Sequence, residues 1–244
     1  MKRIFLVLLM LTFLLSAGTA VWAVVEGTPH DVNVMLQTTG LEICAMCHTP
    51  HSGTGEYPLW NRTQAAQNYT MYASDTFDMI DTTHTAPQGV SALCMVCHNG
   101  VASQLVNYPG PKSTPNTDYD FTDGDAKLTA PWTNLGTDMT DDHPISFTYN
   151  TALDDVTDAN GFPAAITVST GTKTRMMIPG TGANYPLYGT NQDQMECATC
   201  HSVHHTATYD GPLMDSGESA GTQVFFLRND NAGSQMCTDC HTNR

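Results

Sequence analysis

Eight cysteines, all spent in one motif, constrain this chain more than any other feature. They fall in four C-x-x-C-H units: Cys44-Ala-Met-Cys47-His48, Cys94-Met-Val-Cys97-His98, Cys197-Ala-Thr-Cys200-His201 and Cys237-Thr-Asp-Cys240-His241. C-x-x-C-H is the attachment unit of a c-type haem. The two thiols add to the haem vinyl groups as thioethers, and the short loop leaves the adjoining histidine under the iron as its proximal ligand. A lone C-x-x-C serves as readily as a zinc knuckle or a redox dithiol. Four complete units with no cysteine left over point to four covalently bound haem c groups, with zinc as the rival.

The N-terminus bears on that rivalry. Lys2 and Arg3 precede the apolar run from Ile4 to Leu15, and small residues lead on to Val21-Trp22-Ala23. This is the pattern of a signal peptide over residues 1–23, cleaved after Ala23. The run falls short of the 20 or so residues that a transmembrane helix needs. Residues 24–244 are therefore expected to be exported: secreted, extracellular or at the cell surface, with the periplasm as the alternative. No cysteine near the cleavage site suggests a lipid anchor. Thiols in such compartments normally oxidise to disulfides, which counts against zinc; haem would take all eight.

The charge narrows the partners. Of nine Lys and Arg, loss of Lys2 and Arg3 leaves seven against 24 Asp and Glu, a formal charge of −17. Nucleic acid is excluded as a partner, because so few cations cannot neutralise phosphates. An acidic surface suits cationic partners or metal ions.

The 221 residues from 24 to 244 have four macrocycles to enclose. So little protein per haem leaves the haem stack itself as the core, with the thioethers acting as staples. Turn formers recur throughout, as in Asn107-Tyr108-Pro109-Gly110-Pro111 and Pro179-Gly180-Thr181-Gly182. The expected fold is mostly irregular coil with short α-helices and a few short β-strands, a multihaem c-type cytochrome with the haem stack as core. Helices are expected at the motifs and over residues 62–71, and strands over 145–149, 165–169 and 174–178. The first cysteines of the motifs lie 50, 103 and 40 residues apart, at 44, 94, 197 and 237. This spacing reads as a single tetrahaem domain over 24–244: a two-haem N-terminal part, a haem-free insert of about 101–195 and a two-haem C-terminal part.

Beyond the four proximal histidines, six more remain: His30, His51, His84, His143, His204 and His205. Four irons need at most four distal ligands, so full bis-histidine ligation is within reach. An iron with both axial positions filled passes electrons but binds no substrate. That count argues against an enzyme, and no residue is assigned a catalytic role. His143 follows Asp141-Asp142, where a carboxylate can orient the ring. Of the adjacent pair His204 and His205, the former is favoured. Met46 and Met95 sit inside haem loops; Met176, Met177 and Met195 are read as packing against porphyrin. The turn at 118–125, D-Y-D-F-T-D-G-D, lacks the EF-hand spacing and closing glutamate. A solvated acidic loop is favoured there over a calcium site.

His51 follows His48 by three residues. Axial ligands approach one iron from opposite faces, and two intervening residues cannot span a macrocycle. His51 is therefore unligated or belongs to a different haem, and the same holds for His204 after His201. If such a histidine ligates, it ties two haems together.

A run of motifs carries a wider likeness: P-H-D at 29–31, C-A-M-C-H-T-P-H at 44–51, P-L-W-N-R at 58–62, S-A-L-C-M-V-C-H-N-G at 91–100, L-G-T-D-M-T-D-D-H-P-I-S-F at 135–147, M-E-C-A-T-C-H-S-V-H at 195–204 and C-T-D-C-H at 237–241. Together they resemble the tetrahaem subunits of extracellular cytochrome filaments, the nanowires of metal-reducing bacteria of the Geobacter and Desulfuromonas type. The resemblance implies bis-histidine haems in stacked and T-shaped pairs, a mostly coil fold and a polymer in which one haem takes its distal histidine from the neighbouring subunit. The distal set it implies is His30, His51, His143 and His204, with His51 the trans ligand and His30 the alternative. His84 and His205 depart from the pattern. The function implied is an extracellular electron conduit with identical subunits, periplasmic or outer-membrane cytochromes and extracellular metal oxides or other redox acceptors as partners. Two rivals stand beside it: a monomeric periplasmic tetrahaem shuttle and a multihaem reductase. The reductase would need an iron without a distal ligand, or a lysine-ligated variant motif, and neither is present.

Overall fold

The structure, a computed structural model, describes residues 25–26, 28–31, 33, 42–48, 51, 57, 59–60, 66–79, 85–101, 128, 133–153, 161–170, 173–181, 184–204, 226–229 and 231–242. Residues 1–23, expected to be a signal peptide, the acidic segment at 118–125, His84 and His205 lie outside them.

Each C-x-x-C-H unit winds into a helical turn. Motif one forms the 3-10 helix Ile43–Met46. Motif two ends α1, Gly89–His98. Motif three is α2, Cys197–Cys200, and motif four ends α3, Gln235–Cys240. The amides of His48, His201 and His241 donate to the carbonyls of Cys44, Cys197 and Cys237 at 2.9, 3.0 and 2.8 Å. In such a turn, residues three and four apart share a face. Both cysteines and the histidine of a motif are thereby turned the same way, as attachment to one flat ring requires.

Among the described residues between motifs two and three lie five short strands. β2, Ile166–Thr170, and β3, Lys173–Ile178, form a hairpin in which Ile166 faces Met177 and Thr170 faces Lys173. β4, Tyr185–Pro186, pairs antiparallel with β3. Pro186 has no N–H to donate, which suits its place in an edge strand. β1, Phe147–Thr148, pairs antiparallel with β5, Gln194–Met195. The strand expected over 145–149 is cut to two residues because Ser146 sits at φ +58°, in the left-handed region. Its hydroxyl accepts from the Gln88 amide at 2.9 Å, so this backbone serves a contact across the fold rather than a longer ladder.

One expectation is corrected. The described part of the helix expected over 62–71, residues 66–71, is not helical. Thr70 instead pairs with the chain at 137–139: its amide donates to the Thr137 carbonyl at 2.9 Å, and the Met139 amide donates to the Thr70 carbonyl at 2.8 Å. Met79, Phe147, Tyr149, Ile178, Tyr185, Leu187 and Met195 are buried together, with Phe77, Phe162, Met176 and Met236 packed against them. Met195 lies within this cluster and Met176 packs against it. Phe77 meets Phe147 edge to face at 4.8 Å, a favoured aromatic arrangement. The strands between motifs two and three build most of this core, and α3 closes it through Met236 and Cys240. Among the described residues no helix is long and apolar enough to cross a membrane.

Candidate haem-ligand centre

The motif helices bring their histidines against partners far away in sequence. The rings of His30 and His98 stand 6.1 Å apart, centroid to centroid, at 73°. Those of His48 and His204 stand 5.8 Å apart at 26°. Two imidazoles bound to opposite sides of one metal ion through metal–nitrogen bonds of about 2.0–2.1 Å have centroids roughly 6 Å apart. Both pairs have that separation. Each joins a C-x-x-C-H histidine to one of the distal candidates, His30 or His204. Phe226 stacks on the far side of His30 at 4.4 Å and 19°, fixing its ring plane.

The protonation states suit ligation. His98 Nδ1 lies 2.7 Å from the Thr133 carbonyl, and His143 Nδ1 lies 2.9 Å from the Pro144 carbonyl. A carbonyl only accepts, so Nδ1 carries the proton in both rings and the Nε2 lone pair is left for a metal. Burial, and then the positive charge that His98, His201 and His204 would carry, lower His30 to about 4. Burial lowers His98, the Thr133 contact opposing it. Crowding by surrounding atoms lowers His201, with His98 adding to the effect, and lowers His204, with His48 adding to it. These histidines suppress one another's charge, and the neutral imidazole is the form that binds metal.

Motif one has two polar atoms unspent. His48 Nδ1 and Trp60 Nε1 are buried without a hydrogen-bond partner, and their rings meet edge to face at 6.2 Å. Buried donors are rarely left so. At motif four the His241 ring meets Phe162 at 5.0 Å. The remaining distal candidates, His51 and His143, are both exposed.

The cysteines of different motifs also approach one another. The Cys94 thiol donates to the Val90 carbonyl at 3.5 Å, and Cys94 and Cys197 are close enough to act on each other: Cys197, then burial, raises Cys94, while Cys94 lowers Cys197. Burial, then Cys197, pushes Cys200 up to about 11, and burial, then Cys200, pushes Cys240 up to about 12. Motifs two, three and four therefore follow one another in space.

Two acidic residues that sequence reasoning passed over hold this arrangement. Glu196, immediately before Cys197, is 2 % exposed. Its Oε2 accepts from the Ser91 hydroxyl, from the Ser91 amide at 3.3 Å and from the Ser146 hydroxyl at 3.0 Å. The Ser91 hydroxyl in turn accepts from the Cys197 amide at 2.9 Å, tying motif two to motif three. Asp239, inside motif four, accepts from the Tyr185 hydroxyl at 2.6 Å, the Thr181 amide at 2.9 Å and Gln235 Nε2 at 2.8 Å. Burial alone would raise Asp239, but these bonds outweigh it and hold the carboxyl below its usual value. The local signal for both was a carboxylate in or beside a C-x-x-C-H turn; their partners lie too far off in sequence to read.

Among the described residues no group of three or more His, Cys, Asp or Glu side chains converges as a protein-held metal site would. A haem iron needs only two protein atoms, one on each face, since the porphyrin fills the other positions. Paired imidazoles beside C-x-x-C-H turns fit that requirement. No protein-family model matches the chain, and no curated protein matches it.

Proposed function

We propose that this chain is an electron-transfer protein, a tetrahaem c-type cytochrome with bis-histidine irons, and that it works as an extracellular conduit by polymerising. The observation that carries the reading is the pair of imidazole couples, His48 with His204 and His30 with His98, at 5.8 and 6.1 Å. Haem, once bound, supplies a one-electron couple at each iron; the chain anchors the ring by two cysteines, fills both axial positions and keeps other ligands out. In this reading His204 serves the iron of motif one and His30 that of motif two. His51 and His143 are left for the irons above His201 and His241.

This assignment bears on assembly. With His30 placed beside His98 of its own chain, His51 becomes the better candidate to cross to a neighbouring subunit. The resemblance to filament cytochromes favours the same residue. The monomeric shuttle remains the alternative, and the reductase is disfavoured because histidines suffice for every axial position.

Spectroscopy of the haem-loaded protein tests the ligation. All four irons should be low-spin in both oxidation states and should not bind carbon monoxide when reduced. His204→Ala and His30→Ala should each turn one haem, a different one, high-spin. A CO-reactive haem in the unaltered protein would reopen the enzyme reading. A methionine–iron charge-transfer band would contradict the all-histidine set.

A further inference from the structure

The buried carboxyl of Glu196 has a role that haem binding alone does not explain. It sits at the junction of α1 and α2, next in sequence to Cys197 and within electrostatic reach of both Cys94 and Cys197. It is 2 % exposed, and the groups that act on it are the hydroxyls of Ser91 and Ser146 and the Ser91 amide, all neutral. No lysine or arginine among the described residues is among them. On its other side, the place of a Gly89 Cβ would lie 2.8 Å from Glu196 Oε1 and 3.6 Å from the Tyr57 hydroxyl, so the backbone of α1 approaches the carboxyl closely there. Burying a carboxylate without a cation is costly, and burial raises Glu196, its three hydrogen bonds only opposing that rise. A clamp between two helices needs no ionisable group; a neutral amide would hold the same serines.

We propose that Glu196 is a redox-linked proton site, taking up a proton from solvent when a haem at motif two or three is reduced and releasing it on oxidation. The proposal rests on the haem reading above. In the step, a one-electron donor, a cytochrome or an electrode, gives one electron to an Fe(III) iron. One proton leaves water, and an O–H bond forms on the Glu196 carboxylate. The added electron and the added proton cancel in charge. The warrant is electrostatic: an electron delivered beside Cys94 and Cys197 brings negative charge toward a carboxylate shielded from water, which favours its protonated form. By linkage the proton raises the affinity of the iron for the electron to the same degree. The titratable groups that face Glu196 are Cys94 and Cys197, which as thioethers no longer titrate, and Tyr57.

Reduced-minus-oxidised infrared difference spectra of the haem-loaded protein near neutral pH test this. Reduction should produce the C=O band of a protonated carboxyl, shifted in heavy water and absent in Glu196→Gln. The potentials of the haems at motifs two and three should lose pH dependence in the same variant. Ser146→Ala, which removes one donor to the same oxygen, should move the band without abolishing it; this serves if Glu196→Gln does not fold. A protein with four low-spin haems but no such band, a band that persists in Glu196→Gln, or a band unmoved by Ser146→Ala would overturn the assignment while leaving the haem reading intact. A persisting band would point to haem propionates as the proton site.

Discussion

At the scale of single residues, the chain relies on carboxyls and hydroxyls to fix its C-x-x-C-H motifs. Asp239 gathers Tyr185, Thr181, Gln235 and Asn229 about motif four. Asp239→Ala would leave buried donors without an acceptor, at about 1–3 kcal/mol for each one not rescued by water. Urea unfolding of the haem-loaded variant should show that loss, and Asp239→Asn should lose less. Tyr185 gives a pH signature. Burial, and then its bond to Asp239, raise the phenol above its ordinary value of 10.0. A raised value means that the folded protein holds this proton longer than the unfolded chain does. The stabilisation is therefore complete below pH 10 and is lost as pH rises beyond it. Tyr185→Phe should flatten the alkaline decline in stability; an unchanged decline would mean that Tyr185 does not control it.

At the scale of elements, much turns on where α1 begins. Gly89 has φ +52°, and a methyl group there would press on Glu196 Oε1. Gly89→Ala should cost about 1–2 kcal/mol for the left-handed backbone alone, before the clash is counted. Thermal denaturation should show a lower midpoint. In the strand layer, Ile178 is fully buried beside Tyr185 and Leu187. Ile178→Ala should cost about 2–5 kcal/mol, because it removes buried side-chain contacts and leaves a cavity. The hairpin of β2 and β3 could be read from sequence because Ile166-Thr-Val-Ser-Thr170 alternates and a Gly-Thr turn follows it. β4 and β5 could not, since two residues carry no period. The shortened β1 was hidden too, because Ser146 was read as a strand residue although its hydroxyl serves Glu196, 50 residues away.

At the scale of the whole molecule, the four attachment units were legible because the zero, three, four spacing is a local property of one helical turn. The histidine couples were not. His30 reaches His98 and His204 reaches His48 only through the fold, so the sequence supplied the candidates without the pairing. Nor did composition reveal the buried cluster about Phe147, Ile178 and Tyr185, since these residues sit among turn formers. Assembly gives a further prediction: His51→Ala should yield a soluble four-haem monomer with one high-spin iron. His30→Ala should alter the haem of motif two and still polymerise. Electron microscopy of sheared extracellular material reads both outcomes, and normal filaments of all-low-spin His51→Ala subunits would remove the trans assignment.

All of this depends on four haems held by thioethers to Cys44, Cys47, Cys94, Cys97, Cys197, Cys200, Cys237 and Cys240. The most direct measurement is the intact mass of the exported protein under denaturing conditions, where only covalent groups survive. The account predicts the mass of residues 24–244 plus four haems. A mass carrying fewer haems, or the bare polypeptide released from bound zinc, would contradict it.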